Sequence, residues 1–191
     1  MAEADAARRK TTGLILAGGE GRRMGGRDKG LVEWRGEPLV TYVAARFEPQ
    51  VNTLLISCNR NSERYAALAA ATISDGQSGY EGPLAGILAA APRIQTPYLA
   101  LAPCDTPELP EDMVARLASE LLQSGSEIAY AKAGDQAHYL CALLDCRVLT
   151  SLATYFRGGG RAVRHWYAKH DAIAVDFTHA VDAFLNLNEL E

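Results

Sequence analysis

A glycine-rich segment that follows an apolar run is the part of the sequence best suited to chemistry. Leu14-Ile15-Leu16-Ala17 leads into a stretch with five glycines before Lys29. Glycine lets backbone N–H groups approach a ligand closely, and successive N–H groups in such a loop form a concavity that binds anions. From Glu20 to Lys29 there are four positive and two negative side chains, although the net charge of the chain is −4. The segment therefore predicts a loop that binds a polyphosphate.

Two common phosphate-binding motifs do not match this segment. A Walker-type loop has lysine directly after its second glycine, whereas Arg27 follows Gly26 here. A dinucleotide-binding fingerprint read from Gly19 and Gly21 requires a third glycine where Met24 stands. A glycine-rich turn without a ligand is the alternative, and the apolar run before the loop makes us favour a ligand site.

Two aspartates follow apolar runs elsewhere in the chain. Asp105 comes after residues 98–102, and Asp75 comes after residues 72–74. Mg²⁺ favours one or two carboxylates together with waters and substrate phosphates, so Asp105 is the predicted metal ligand. The alternative at both positions is an aspartate that stabilises a turn. We favour the metal at Asp105 and leave both interpretations open at Asp75.

Strands and helices are predicted to alternate, which is typical of an α/β fold. The apolar runs predict strands at 12–17, 51–57, 72–74, 98–102, 127–131, 139–144 and 172–175. Helices are predicted at 38–47, 61–70, 84–91, 113–122 and 148–156, with a final helical turn. This order predicts a doubly wound, mostly parallel sheet with helices on both faces. We expect one domain over residues 12–191, preceded by a mobile tail over residues 1–11.

The predicted sheet would bring the polar segments together. Ligands of open α/β sheets bind beyond the carboxyl ends of the strands. The loop from Gly18, residues 57–59, Asp75 and Asp105 each follow one of four successive predicted strands. We therefore expect these four features to form one site.

Composition excludes several other classes of protein. The sequence pI near 5.6 argues against general nucleic-acid binding, and no apolar run is long enough to span a membrane. The first ten residues are charged and do not resemble a signal peptide. No Ser-His-Asp or Cys-His arrangement is recognisable, so acyl-transfer chemistry is not supported. The four cysteines are not closely paired, and we expect reduced, buried thiols: Cys58, Cys104, Cys141 and Cys146.

Several motifs resemble those of a known family. Leu16-Ala17-Gly18-Gly19, Arg23-Met24-Gly25-Gly26 and Asp28-Lys29-Gly30 resemble the nucleotidyltransferase signature, and most closely that of the molybdenum cofactor guanylyltransferases. Gly82-Pro83-Leu84-Ala85-Gly86 is similar to a segment that this family carries beside its nucleotide. Asn59 matches the second asparagine of the family's Asn-x-Asn-Arg pattern, whereas Ser57 replaces the first. The resemblance covers residues 12 to about 188.

The resemblance implies a Rossmann-like nucleotidyltransferase fold and transfer of GMP from Mg·GTP to the phosphate of molybdenum-bearing molybdopterin, with release of pyrophosphate. The implied catalytic residues are Lys29 at the pyrophosphate, Arg23 at the triphosphate and Asp105 at Mg²⁺, while Arg22 faces solvent or the second substrate. The implied nucleotide-binding residues are Leu16, Ala17, Gly18, Gly19, Lys29, Asn59, Asp75, Gly82, Pro83 and Asp105. A cytoplasmic monomer is expected, with transient contacts to molybdoenzymes or their chaperones and no membrane or nucleic-acid partner.

Two other functions remain as alternatives. The first is the same chemistry with another nucleotide, in a CTP-dependent molybdopterin or a sugar-phosphate nucleotidyltransferase; relatives of the cytidylyl type usually have Ala-Gly where this chain has Gly18-Gly19. The second is a non-catalytic nucleotide-binding regulator, which would not require both Lys29 and Asp105.

Roles in the second half of the chain are less specific. A tyrosine follows His138 where the family has proline, so no role is assigned to His138. The arginines at 157, 161 and 164 form either a solvated basic loop, which we favour, or a site for the pterin phosphate. Asn186 and Asn188 match the family's Asn-x-Asn, either as a structural cap or as a contact on the pterin side.

Overall fold

The computed structural model describes residues 2–19, 27–76 and 81–185. The strands in these ranges are β1 (Thr11–Leu16), β2 (Glu33–Trp34), β3 (Glu37–Pro38), β4 (Thr53–Ser57), β5 (Ala71–Ile73), β6 (Tyr98–Pro103), β7 (Ile128–Ala133), β8 (Gln136–Asp145) and β9 (Ala172–Asp176). The α-helices are α1 (Ala2–Arg9), α2 (Leu39–Phe47), α3 (Ser62–Ala66), α4 (Pro83–Ala90), α5 (Met113–Ser124), α6 (Leu149–Arg157) and α7 (Val163–Tyr167).

The described strands form a seven-stranded sheet in the order β5-β4-β1-β6-β8-β7-β9. Strand β1 lies between β4 and β6 and is parallel to both, with Leu14 opposite Leu55 on one side and Leu101 on the other. Strand β8 is antiparallel to its two neighbours, and the remaining pairings are parallel. The predicted mostly parallel α/β fold is confirmed.

Helices cover both faces of this sheet, as the continuous apolar runs predicted. Successive residues of a strand point to opposite faces. Ile15 accordingly packs in one apolar cluster with residues of α2 and α5, whereas Leu14 packs in a second cluster with residues of α4, α6 and α7. Because β1 is buried on both faces, its carboxyl end is held rigidly at the edge where the polar segments emerge.

The sequence analysis expected a mobile tail over residues 1–11, whereas most of this segment is helical in the structure. Residues 2–9 form α1, and Thr11 already belongs to β1. Arg9 pairs with Asp5 one turn earlier at 2.7 Å, and Arg8 donates a hydrogen bond to the carbonyl of Val51 at 3.3 Å. The alanine-rich sequence has a high helix propensity, the Arg9–Asp5 pair supports the helix internally, and α1 packs beside α5.

Other differences are local and follow from turns in the chain. The sequence analysis did not predict the β2–β3 hairpin or α7, and α3 ends at Ala66, earlier than predicted. It ends early because the amide of Ala70 donates to the carbonyl of Leu54, which turns the chain into β5. In the described part of the chain, no helix has both the length and the apolar character that a membrane span requires.

Candidate active site

A cavity of about 350 Å³ lies at the carboxyl ends of β4, β1 and β6, where the sequence predicted a site. Its walls contain most of the residues that the sequence analysis had selected, although these come from distant parts of the chain. The lining residues are Leu16, Ala17, Gly18, Gly19, Lys29, Ser57, Asp75, Gly82, Pro83, Gly86, Pro103, Cys104, Asp105 and Leu140. Arg22 and Arg23 lie outside the described residues.

The charged end of the cavity lies beside β6. Asp105 follows this strand, and Lys29 begins a short 3₁₀ turn over Lys29–Leu31. The ammonium group of Lys29 forms an ion pair with the Asp105 carboxylate, and these side chains are only 26% and 16% exposed. The cavity wall therefore carries a paired cation and anion, and both side chains are partly shielded from water.

The opposite end of the cavity lies beside β4 and β5 and contains Asp75. The side-chain amide of Asn59 donates to Asp75 Oδ2 at 2.9 Å, and its carbonyl oxygen accepts from the backbone N–H of Asp75 at 3.2 Å. Asn59 is not among the residues that line the cavity in the described structure. It is placed to orient Asp75, whereas the sequence analysis had assigned it a direct contact with the nucleotide.

Backbone groups form the floor between the two ends. In the described part of the chain, no group accepts a hydrogen bond from the N–H of Gly18 or Gly19. Gly82 has a φ of +86°, which favours glycine, and it directly precedes Pro83 at the start of α4. These glycines therefore line the cavity without side chains that would separate the backbone from a ligand.

The close packing of α4 against β4 requires glycine at position 86. A Cβ atom at this position would lie 2.5 Å from Ser57 Oγ and 3.3 Å from Leu16 Cδ2. Ser57 is 2% exposed and lines the cavity at the position where the family has asparagine. The small residues at 57 and 86 thus let α4 approach the strand ends and form the cavity wall.

The four cysteines form no disulfide, and three of them are buried, as predicted. Cys58, Cys104 and Cys141 are buried, and Cys146 is half-buried. Burial raises the pKa of Cys58 to about 11, with the Asp28 carboxylate adding to the effect. Burial also raises the pKa of Cys104 well above its usual value, and the negative charge of Asp105 contributes. These thiols stay protonated near neutral pH and are therefore poor nucleophiles.

The sequence analysis did not predict one hydrogen-bonded network, because its residues are distant in sequence. Ser151 Oγ lies 2.5 Å from His170 Nε2, and His170 Nδ1 lies 3.0 Å from Glu127 Oε2. The Ser151 hydroxyl also accepts a hydrogen bond from the Trp166 indole at 3.0 Å. The amides of the nearby residues 158–160 donate to carbonyls of the α6 segment, so they are not available to a substrate oxyanion. This network links α6 and α7 to the start of β7.

The basic loop after α6 is held by its own contacts. Arg161 pairs with Glu81 at 3.4 Å, and its guanidinium lies 3.8 Å from the ring centroid of Phe156. These contacts connect the loop to the segment before Gly82.

The His138 ring stacks on Phe184 with the centroids 4.8 Å apart. Asn186 and Asn188 lie outside the described residues.

Curated relatives cover nearly the whole chain. A molybdenum cofactor guanylyltransferase from Shewanella sediminis is 42% identical over 178 residues, which are 93% of this chain and 91% of that protein. A protein of the same name from Shewanella putrefaciens is also 42% identical over 178 residues, with the same 93% and 91% coverage.

A solved structure has a similar fold. The crystal structure of molybdopterin-guanine dinucleotide biosynthesis protein A from Archaeoglobus fulgidus superimposes with a TM-score of 0.76 at 23% identity. The superposition covers 93% of this chain and 92% of that one, and it supports the fold alone. The MobA-like NTP transferase domain matches residues 13–173, a range that includes the whole cavity wall. The chain belongs to the MobA-like NTP transferase family.

Proposed function

We propose that the protein transfers GMP from GTP to the phosphate of molybdenum-bearing molybdopterin. An oxygen of that phosphate attacks the α-phosphorus of GTP, a new phosphoanhydride bond forms, and the bond to the β-phosphate breaks to release pyrophosphate. The observation that carries the proposal is that Lys29 and Asp105 line one cavity together with Gly18 and Gly19. The relatives named molybdenum cofactor guanylyltransferase support this choice of substrates.

The chemistry needs neutralisation of charge rather than a strong base. The acceptor phosphate is already an anion, so no proton has to be removed from it. The main obstacle is repulsion between that anion and the triphosphate, which fixed positive charges and in-line positioning reduce. Lys29 is the described cation on the cavity wall, and we assign it to the charge that develops on the leaving pyrophosphate. Arg23 is assigned to the triphosphate.

The residues present fit a magnesium ion. Among the described residues, no group of three or more His, Cys, Asp or Glu side chains could enclose a metal. A single carboxylate at a phosphate site, such as Asp105, suits Mg²⁺, which keeps waters and takes substrate phosphates as further ligands. When bound there, the ion would neutralise phosphate charge during the transfer. The Asp105 carboxylate lines the cavity, where it pairs with Lys29.

The other end of the cavity is suited to the base. Guanine carries adjacent N–H donors on one edge, and the Asp75 carboxylate, oriented by Asn59, can accept from them. The Gly18 and Gly19 amides and the Gly82-Pro83 turn can contact the remaining polar atoms of the base and the α-phosphate. A bound base without matching groups would cover these groups and leave them unpaired, at a cost of about 1–3 kcal/mol each.

The order of strands supports one direction for the bound nucleotide in this proposal. Asp75 follows β5, the glycine loop follows β1, and Asp105 follows β6, and these strands lie in the order β5-β4-β1-β6. The base therefore lies over β4 and β5, and the phosphates lie between β1 and β6. The acceptor phosphate would approach from beyond β6, near Leu140.

We further propose a cytoplasmic monomer that contacts molybdoenzymes or their chaperones transiently when the product is released.

Nucleotide selectivity and turnover test this proposal together. Thermal shifts should be measured with Mg²⁺ and each of GTP, CTP, ATP and UTP, because a ligand that binds the folded state raises its melting temperature. We expect the largest shift with GTP, and pyrophosphate release from GTP only when molybdopterin is present. A larger shift with CTP would favour the cytidylyl alternative. A GTP shift without any turnover would favour a non-catalytic regulator.

A further inference from the structure

A buried carboxylate lies immediately before Lys29 in the chain. The Asp28 side chain is 8% exposed. Its Oδ1 atom accepts from the Tyr65 hydroxyl at 2.5 Å, and its Oδ2 atom accepts from the Asn61 amide at 2.9 Å. Arg60 Nε lies 3.7 Å from the same Oδ2 atom. A buried carboxylate with this many donors is held in one orientation, since losing any of them would leave charge unpaired.

The Arg60 guanidinium also connects the two described ends of the glycine-rich loop. Its Nη2 atom donates to the carbonyl of Gly19 at 3.3 Å and to the carbonyl of Arg27 at 2.9 Å. Gly19 and Arg27 lie on either side of residues 20–26 in the sequence. One side chain, from the segment after β4, therefore fixes the spacing between the end of the β1 segment and the residue before Asp28.

The Tyr65 side chain packs against the turn that carries Lys29. Its side chain is fully buried, and burial together with the Asp28 hydrogen bond raises the pKa of its hydroxyl far above the usual value, so the group remains a donor. A Cβ atom at Gly30 would lie 2.7 Å from the Tyr65 oxygen. The turn can pack this closely against the Tyr65 hydroxyl only because residue 30 is glycine. The Leu31 amide closes the turn on the Asp28 carbonyl at 3.0 Å.

We propose that Asp28, Arg60 and Tyr65 are positioning residues that act on the reaction through Lys29. In the described structure none of the three lines the cavity, whereas Lys29, which follows Asp28 directly, does. The backbone of Lys29 is therefore held through Asp28, while its ammonium group, which pairs with Asp105 in this structure, can turn to a bound triphosphate. The inference rests on the proposed function for the meaning of that placement, because a lysine that stabilises a transition state must be held within a fraction of an ångström.

Tyr65→Phe is the sharpest test, since it removes one oxygen and keeps the ring that fills the core. We expect kcat to fall about tenfold while KM for GTP changes by less than about twofold. Tyr155→Phe is the matched control, because its hydroxyl likewise donates one hydrogen bond, but to the backbone carbonyl of Ala162 at 3.1 Å and away from the cavity wall. It should leave both constants unchanged.

A double-mutant cycle decides whether Tyr65 acts through Lys29. If it does, Tyr65→Phe should cause little further loss of rate in a Lys29→Ala background. A loss of the same size in both backgrounds would overturn the proposal. If Tyr65→Phe does not fold, Asn61→Gly provides the second variant, because it removes a donor to Asp28 and suits the φ of +52° at residue 61.

A readout that does not depend on turnover separates this inference from the proposed function. Reductive ¹³C-methylation of lysines gives an NMR signal for Lys29, assigned by its loss in Lys29→Ala. That signal should shift in Tyr65→Phe and stay in place in Tyr155→Phe, even if the wild type does not transfer GMP. An unshifted Lys29 signal would overturn the positioning role, whereas a shifted signal with no GMP transfer would overturn only the proposed function.

Discussion

Replacing Asp105 by asparagine should change turnover and metal-free nucleotide binding in opposite directions. The substitution keeps the shape of the side chain and removes its charge. In the structure that charge is paired with Lys29, and both side chains are largely shielded from water. Two unit charges about 4 Å apart attract each other by roughly 4 kcal/mol at an effective dielectric constant near 20, before the cost of desolvation is subtracted.

Turnover should fall because the carboxylate that would bind Mg²⁺ is lost. The loss of a metal that stabilises transition-state charge is expected to lower kcat by a hundredfold or more, about 2.7 kcal/mol of barrier. Binding of GTP without metal should instead become several-fold tighter, because Lys29 no longer has to leave Asp105 to meet the triphosphate. Stability should fall by only about 1 kcal/mol, since Lys29 lies on the cavity wall and can be rehydrated.

The assays are calorimetry of GTP binding in EDTA and pyrophosphate release at matched Mg²⁺ concentrations with molybdopterin as acceptor. Glu108→Gln is the matched control, because Glu108 is paired with Arg35 at 3.2 Å on an exposed surface. It should change neither quantity. Turnover close to that of the wild type in Asp105→Asn would remove Asp105 from the metal site. Weaker metal-free binding of GTP would refute the competition between Asp105 and the triphosphate for Lys29.

Three further predictions address other parts of the structure. Lys29→Ala should lower kcat more than it weakens GTP binding, and equal losses in kinetics and calorimetry would make Lys29 an ordinary binding residue. Gly18→Ala should lower the ratio of GTP to CTP efficiency without unfolding the protein, because its new Cβ would meet Asn59 Nδ2 at an ordinary 3.5 Å; an unchanged ratio would contradict the backbone account of selectivity. Hydrogen bonding to His170 lowers the pKa of Glu127, so its contribution to stability is complete above the ordinary pKa and is lost as the pH falls through the folded value. Wild type should therefore have a higher melting temperature than Glu127→Gln at a pH above the ordinary value of 4.5, and this difference should shrink as the pH is lowered below that value; a difference that does not change with pH would contradict the assignment.

The strands and their order along the chain could be predicted because the apolar runs are long enough to be buried on both faces of a sheet. The same runs predicted where the cavity lies, since Gly18, Asp75 and Asp105 each follow a strand and parallel strands bring their carboxyl ends together. The helix at residues 2–9 was missed because its charged residues suggested a solvated tail, whereas the Asp5–Arg9 pair and contacts with α5 stabilise it.

Individual roles were harder to predict than location, because they depend on side-chain contacts between distant residues. Asn59 matched a family position, but only the structure shows that its amide is used to hold Asp75. Tyr65 lies within a predicted helix, and nothing in its sequence neighbours indicates that its hydroxyl reaches Asp28. Ser151, His170 and Glu127 are too far apart in sequence for any spacing rule to associate them.

The most direct test of the account is the identity of the product formed from molybdopterin and equal concentrations of GTP and CTP with Mg²⁺. The account predicts the guanine dinucleotide as the main product by mass spectrometry, with one pyrophosphate released for each dinucleotide formed. The cytosine dinucleotide as the main product, or no dinucleotide from a protein that binds GTP, would contradict it.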